Sequence, residues 1–376
     1  MCSPLSDWID GNVVASILSS CLFFLCVFAG KVGLQSLQII LPPWLAYVAV
    51  VLCVLNVISW LQSPPAIRLR GKHILIAGGS TDVGRALGCL AVKEGGRISL
   101  LGSDEALLEE SAELVEAAIP LQKCLQELCK PVVTAKARLD DALEVAEAIA
   151  STTKVLGPVD ILVCASANET SSPCKEVETT PLDDFERVMR ANWLATIAAI
   201  QGALEHMKDR FGEAPTRIAI ISSLASQGGQ YGHGAFASSQ FALRGLAEVL
   251  QQELAAYNIR VTFVCPPTKQ VMMDGKGYQS SVVGSTQAVA QSAGNESPDS
   301  IAAATLRAVK QGRFLVNFGV TGWIVGTLTS GMAPQPFLFQ GALEVLFAGV
   351  CRSFMLLAHA SFFRRVSKPE WKFKTP

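Results

Sequence analysis

Histidine is scarce in this chain, four in 376 residues, and no Cys-x-x-Cys pair occurs. Both absences argue against a metal site, because Cys124 and Cys129 have no matching histidine pair to complete a zinc ligand set. Charge is scarce too. Only 17% of residues are Asp, Glu, Lys or Arg, the net charge is −1 and no basic patch stands out, so nothing points to nucleic acid as a partner. The eleven cysteines do not read as a disulfide framework. Cys21, Cys26 and Cys53 lie in apolar runs, Cys164 and Cys265 fall in predicted strands, and an odd count of small apolar thiols fits a reducing compartment.

Hydrophobicity fills the place of charge: 50% of residues are apolar and the mean hydropathy is +0.36, with the apolar residues gathered at the two ends. Residues 12–30 and 37–62 are uncharged. Each is long enough to cross a hydrocarbon core of roughly 30 Å, which takes about 20 residues. The chain before them holds Asp7 and Asp10 but no Lys or Arg, unlike a cleaved signal peptide. Lys31 and Gly33 suit a tight turn, so residues 1–66 are expected to form a transmembrane hairpin, with Pro42 and Pro43 leaving a re-entrant or interfacial hairpin open. A hairpin returns the chain to its starting side. Arg68, Arg70 and Lys72 favour the cytosolic face there, which would leave the Asn168 and Asn295 sequons unglycosylated.

Residues 313–363 are apolar again, but Glu344 and Arg352 argue against a simple span. Helices at the membrane surface or a re-entrant hairpin are expected there ahead of full crossings. The tail, residues 364–376, carries Arg364, Arg365, Lys368, Lys372 and Lys374 against Glu370. Three readings of it stay open: contact with anionic headgroups, an address signal, and a disordered end.

Between the apolar ends, Gly71 to Leu101 reads GKHILIAGGSTDVGRALGCLAVKEGGRISLL. The pattern is an apolar strand, a glycine-containing turn, an amphipathic helix and a second apolar strand. This is the opening of a dinucleotide-binding fold, in which the backbone approaches a pyrophosphate at a helix N-terminus. GPVDILV at Gly157–Val163 reads as a fourth strand, Asn192 lies in FERVMRANWLA, and Pro266 closes VTFVCPP. ISSLASQGGQYGHGAFASSQFALRGL, Ile221 to Leu246, places Ser223 thirteen residues before Phe236, with Gln240 four residues later.

These landmarks, in this order, resemble the short-chain dehydrogenase/reductase family, and within it the 3-ketodihydrosphingosine reductases of sphingolipid synthesis. FALRGLAEVLQQELAAYNIRVTFVCPP at Phe241–Pro267 and LTSGMAP at Leu328–Pro334 are similar to stretches of that branch, and the resemblance runs from about Gly71 to about Ser361. It implies an α/β fold, a doubly wound parallel sheet over residues 67–312, with an N-terminal membrane hairpin and an apolar C-terminal extension. It also implies NADPH as cofactor, a long-chain 3-keto base as substrate, the endoplasmic reticulum membrane as location and a cytosol-facing domain.

The resemblance assigns roles to single residues. Ser223 would bind a carbonyl oxygen and Asn192 would hold the helix kink and water of a proton relay. Gly78, Ser80, Gly84 and Pro266 would border the cofactor. Seven departures stand against it. Phe236 replaces the proton-donating Tyr, Gln240 the Lys that makes it acidic, and Asp82 the middle glycine of the phosphate turn. Cys164, Ala165, Ser166 and Ala167 replace an Asn-x-Ala-Gly turn, Ser103 an Arg for the 2′-phosphate, Ala137 an adenine-contacting Asp, and Val271 a carboxamide-binding Thr, while Asp104 after Ser103 would suit a ribose hydroxyl and favour NAD over NADP. A phenyl ring has no proton to give, and a positioned general acid is worth about 10² to 10⁴ in rate. A carboxylate about 4 Å from a phosphate repels it by roughly 4 kcal/mol at an effective dielectric of 20, unless it points away or Arg85 neutralises it.

Three functions stay open on the sequence. The first is a catalytically impaired scaffold or regulatory homologue, forming a homodimer or a heterodimer with an active reductase. The second is a working NAD(P)H-dependent reductase with Tyr231 or His233 as substitute acid. The third is a lipid-binding module that uses the old cleft beneath the loop from Thr268 to Ser297.

Overall fold

The strand His73–Ala77 (β1) is apolar and buried along its whole length, as a central parallel strand covered on both faces must be. A computed structural model describes residues 54, 57, 66–119, 132–166, 176–210, 214–229, 232–267, 296–331 and 338–366. The chain divides into two compact units, one of residues 64–335 with 344–376, the other of residues 1–63 with 336–343. Of the second, only Val54, Val57 and the start of the last helix are described. The expected hairpin segments (apart from Val54 and Val57), Ala167, both sequons, Tyr231, Val271, most of the 268–297 loop and the tail beyond residue 366 lie outside the described residues.

The first unit alternates strand and helix. After β1 come α1 (Asp82–Lys93), β2 (Arg97–Gly102), α2 (Glu105–Ala117), β3 (Val132–Lys136), α3 (Ala142–Leu156) and β4 (Ile161–Cys164). Then follow α4 (Leu182–Met189), a π-helical turn (Arg190–Leu194), α5 (Ala195–Lys208), β5 (Thr216–Ile221), α6 (Gly234–Glu253), β6 (Ile259–Cys265), α7 (Pro298–Gln311) and β7 (Leu315–Asn317). All pairings are parallel, in the order β3-β2-β1-β4-β5-β6-β7. Strands are added on one side from β1 to β3 and on the other from β4 onward. The crevice at the carboxyl ends of β1 and β4 is therefore the switch point where such sheets take ligands.

Helices cover both faces. Leu75, Leu101 and Phe263 pack with Val145, Ala199, Leu243 and Ala247 of α3, α5 and α6. Ile74, Ile76 and Ile98 pack with Leu87, Leu108, Val115 and Leu306 of α1, α2 and α7 on the other side. This is the doubly wound α/β sheet expected. Its extent needs one correction, because β7 pairs with Phe263–Cys265 beyond Gly312, inside the stretch assigned to the apolar extension. The run FLVNF has the hydropathy of a membrane segment and of a short strand alike.

The amino-terminal edge of the sheet is fastened by charge. Asp160, 2% exposed, takes hydrogen bonds from Lys72 Nζ (2.9 Å) and the His73 N–H (2.9 Å), and Arg210 Nε lies 3.4 Å away. Gly157, inside the segment expected as the fourth strand, instead ends α3 with φ +81°.

Two helices follow the sheet, α8 (Gly319–Thr329) and α9 (Leu338–Val366). Among the described residues no helix is long and apolar enough to cross a membrane. In α9, Glu344 is buried while Val345, Leu346, Val350 and Leu357 are exposed. Trp323 of α8 meets Phe347 of α9 edge to face at 5.9 Å.

Candidate functional site

The turn from β1 into α1 is built by its small residues. Gly78 has φ +89°, and a Cβ there would stand 2.7 Å from the Ser166 backbone nitrogen. A Cβ on Gly84 would run into the Gly78 carbonyl oxygen. Both glycines are thus required by the turn itself. Thr81 caps α1: its hydroxyl donates to the Gly78 carbonyl (2.8 Å) and accepts from the Gly84 N–H (3.0 Å). Ser80 lies on the side of Gly102, whose added Cβ would sit 3.3 Å from Ser80 Oγ.

Asp82 opens α1, where the positive end of the helix favours a carboxylate. Its Oδ1 lies 2.6 Å from Arg85 Nη2, and Arg85 Nη1 lies 3.6 Å from Glu110 Oε1. Arg85 thus pairs with Asp82, whose side chain stays 55% exposed at the start of α1. At the end of β2, Asp104 caps α2 by accepting from the Leu107 N–H (3.1 Å), and Ser103 is exposed. Ala137 is buried and donates its N–H to Gly102 (2.9 Å).

These residues do not fit the phosphates of a dinucleotide. Asp82 puts a carboxylate at the start of α1, the Arg85 guanidinium is bound to Asp82 and Glu110, and the Thr81 hydroxyl takes up the Gly84 N–H, whereas Asp104 at the end of β2 stands where an acid suits a ribose hydroxyl. Ser166 Oγ is buried beside Gly78 with no hydrogen-bond partner.

The second half of the site lies where β5 meets α6. Ser223 leaves β5 with extended backbone, its Oγ accepts from the Ala225 N–H (3.2 Å), and the Leu224 N–H donates to the Pro266 carbonyl (2.8 Å). Asn192 sits fully buried on the π turn between α4 and α5, and its Nδ2 donates to Ser239 Oγ (2.9 Å). Ser239 Oγ in turn donates to the Phe236 carbonyl (2.8 Å). Phe236, 3% exposed, lies in the first turn of α6. Gln240, one turn on, is 0% exposed and accepts at Oε1 from Ser222 Oγ (2.7 Å).

The structure thus brings together Asn192, Ser223, Phe236, Gln240 and Pro266, and groups Gly78, Ser80, Asp82 and Gly84 at the β1 turn. Sequence reasoning passed over Ser222 and Ser239, which anchor this web. Ser222 precedes Ser223 at a strand end, where successive side chains point to opposite faces, and that was the available signal. Gln227 was also missed: its Nε2 donates to Asn317 Oδ1 (2.7 Å), while its own Oε1 is buried without a partner.

Titratable groups at the site are few. Burial lowers the His233 imidazole below its usual value, which leaves it neutral near pH 7 and a poor acid. Burial pushes the Cys164 and Cys265 thiols up to about 12, so both are inert packing groups. Among the described residues no cluster of three or more His, Cys, Asp or Glu could hold a metal ion.

The sequence model of the short chain dehydrogenase family matches residues 72–280. The chain is 32% identical over 317 residues to a 3-dehydrosphinganine reductase of Danio rerio, spanning 84% of this chain and 92% of that protein. It is 31% identical over 309 residues to a 3-ketodihydrosphingosine reductase of Bos taurus, spanning 82% and 89%. Among solved structures, the apo form of LigO from Sphingobium sp. strain SYK-6 aligns with TM-score 0.52 at 21% identity, over 81% of this chain and 94% of that one. That likeness speaks to the fold.

Proposed function

We infer the function from one premise, that the chain belongs to the short-chain dehydrogenase family. It is a catalytically impaired homologue of the 3-ketodihydrosphingosine reductases, held at the endoplasmic reticulum membrane with its sheet domain in the cytosol, and acts as a scaffold or regulatory partner. One observation carries the reading. Where carbonyl reduction needs an acid beside Ser223, the chain has the buried phenyl ring of Phe236, and Gln240 beyond it is engaged by Ser222.

A ketone reductase must deliver a proton to oxygen as hydride reaches carbon, and the donor must be within hydrogen-bond reach. Ser223 can still orient a carbonyl, but the Asn192–Ser239–Phe236 chain of hydrogen bonds ends on a backbone carbonyl and not on a donor. His233 stands three residues before Phe236, and burial disfavours its charged form. For assembly, α6 leaves Phe241 and Val249 exposed with Gly245 between them, a flat apolar stripe suited to a second copy or an active homologue. For membrane attachment, the uncharged runs before residue 63 and the exposed apolar side chains of α8 and α9 support the reading.

The test is turnover of a long-chain 3-ketosphinganine by the purified full-length protein with NADPH. No oxidation above background is expected, together with co-purification of an active reductase of the same branch. Substrate-dependent NADPH oxidation would overturn the reading. Lipid binding in the old cleft is a second reading, which the polar, Gly- and Ser-rich sequence from Thr268 to Ser297 supports. Mass spectrometry of lipid extracted from the purified protein tests it.

A further inference from the structure

Arg85 carries more charge partners than an exposed helical arginine needs. It reaches Asp82 on its own helix and Glu110 on α2, and its side chain is only 27% exposed against 55% for Asp82. Ordinary i,i+3 pairs on a helix surface contribute little to stability. Asp82 stands at the start of α1, where the helix N-terminus and its partial positive charge draw an anion. The carboxylate already supplies one, and the guanidinium that a phosphate would need is bound to it. A nucleotide phosphate arriving here meets an anion in place and must also take Arg85 from two acids.

We infer that the Asp82–Arg85 pair is an internal substitute for a nucleotide phosphate: Asp82 fills the anion's place at α1, and Arg85 is the cation for which carboxylate and phosphate compete. The inference rests on the proposed absence of nucleotide binding and assigns its cause to one side chain. Charge, and not bulk, is the operative property. Asp82→Asn, which keeps the side chain and removes its charge, should therefore act as strongly as Asp82→Gly.

Equilibrium binding of NADPH to the full-length protein, followed by fluorescence and by the ligand-induced shift in melting temperature, tests this without any turnover. Asp82→Asn and Asp82→Gly are expected to tighten binding by at least about tenfold each, and Arg85→Gln in either background to abolish the gain. A gain in Asp82→Gly alone would make Asp82 merely an obstruction and overturn the inference. So would a gain that survives Arg85→Gln, or no gain in either variant while both melt cooperatively. Micromolar binding by the unmodified protein would instead overturn the proposed function.

Discussion

Ser222 Oγ donates to Gln240 Oε1 across 2.7 Å in the interior, so the position to which the family resemblance assigns a lysine holds a neutral amide bonded from within the protein. The serine lies at the end of β5 and the glutamine in α6, and the bond ties strand to helix beside Ser223. A charge at residue 240 would have to be desolvated where Gln240 now needs none.

Truncating that pair should be felt in stability. Gln240→Leu leaves the Ser222 hydroxyl buried without its partner, and about 1–3 kcal/mol is expected to be lost. Urea unfolding would show a lower midpoint at unchanged slope. An unchanged midpoint would mean that the bond is not formed in solution.

Restoring the acid alone should not restore chemistry. Phe236→Tyr is expected to remain without reductase activity, because neither the lysine charge nor the phosphate site returns with it. The triple variant Phe236→Tyr, Gln240→Lys, Asp82→Gly should exceed Asp82→Gly by about 10² or more in rate, the lower end of what a positioned acid gives. Activity in Phe236→Tyr alone would refute this.

His73 makes stability depend on pH. Its imidazole is fully buried between the Gly157 carbonyl (2.7 Å) and Ser99 Oγ (2.6 Å), and burial lowers its pKa from 6.5 to about 4. Below pH 6.5 the unfolded chain therefore binds a proton that the folded protein refuses. Stability is complete above 6.5 and falls as pH drops toward 4, by about 3 kcal/mol in all. Chemical unfolding across this window should give a clearly shallower slope for His73→Gln. Equal slopes would exclude His73 as the cause.

Asp160 is expected to be the most sensitive carboxylate. Asp160→Asn leaves Lys72 and Arg210 beside a neutral side chain in a largely buried setting, and about 3 kcal/mol should be lost. A loss well under 1 kcal/mol in thermal or urea unfolding would show that solvent screens the cluster.

Much of the fold was legible because its signals are local. Buried parallel strands read as apolar runs, the β1 turn needs glycine at 78 and 84, and the spacing of Ser223, Phe236 and Gln240 brings their segments together. What sequence could not reach were contacts between distant residues. The Asn192–Ser239 and Ser222–Gln240 bonds join residues 47 and 18 positions apart, and nothing in either neighbourhood announces its partner. Arg85 was visible as one way to neutralise Asp82, but Glu110 joins it only when α2 packs beside α1. β7 was hidden because three residues of edge strand have no periodicity to read.

The most direct measurement is equilibrium binding of NADPH and NADH to the detergent-solubilised full-length protein by calorimetry, up to millimolar ligand. No saturable binding of either nucleotide is expected. Micromolar affinity for either would contradict the exclusion of nucleotide phosphate by Asp82 and Arg85.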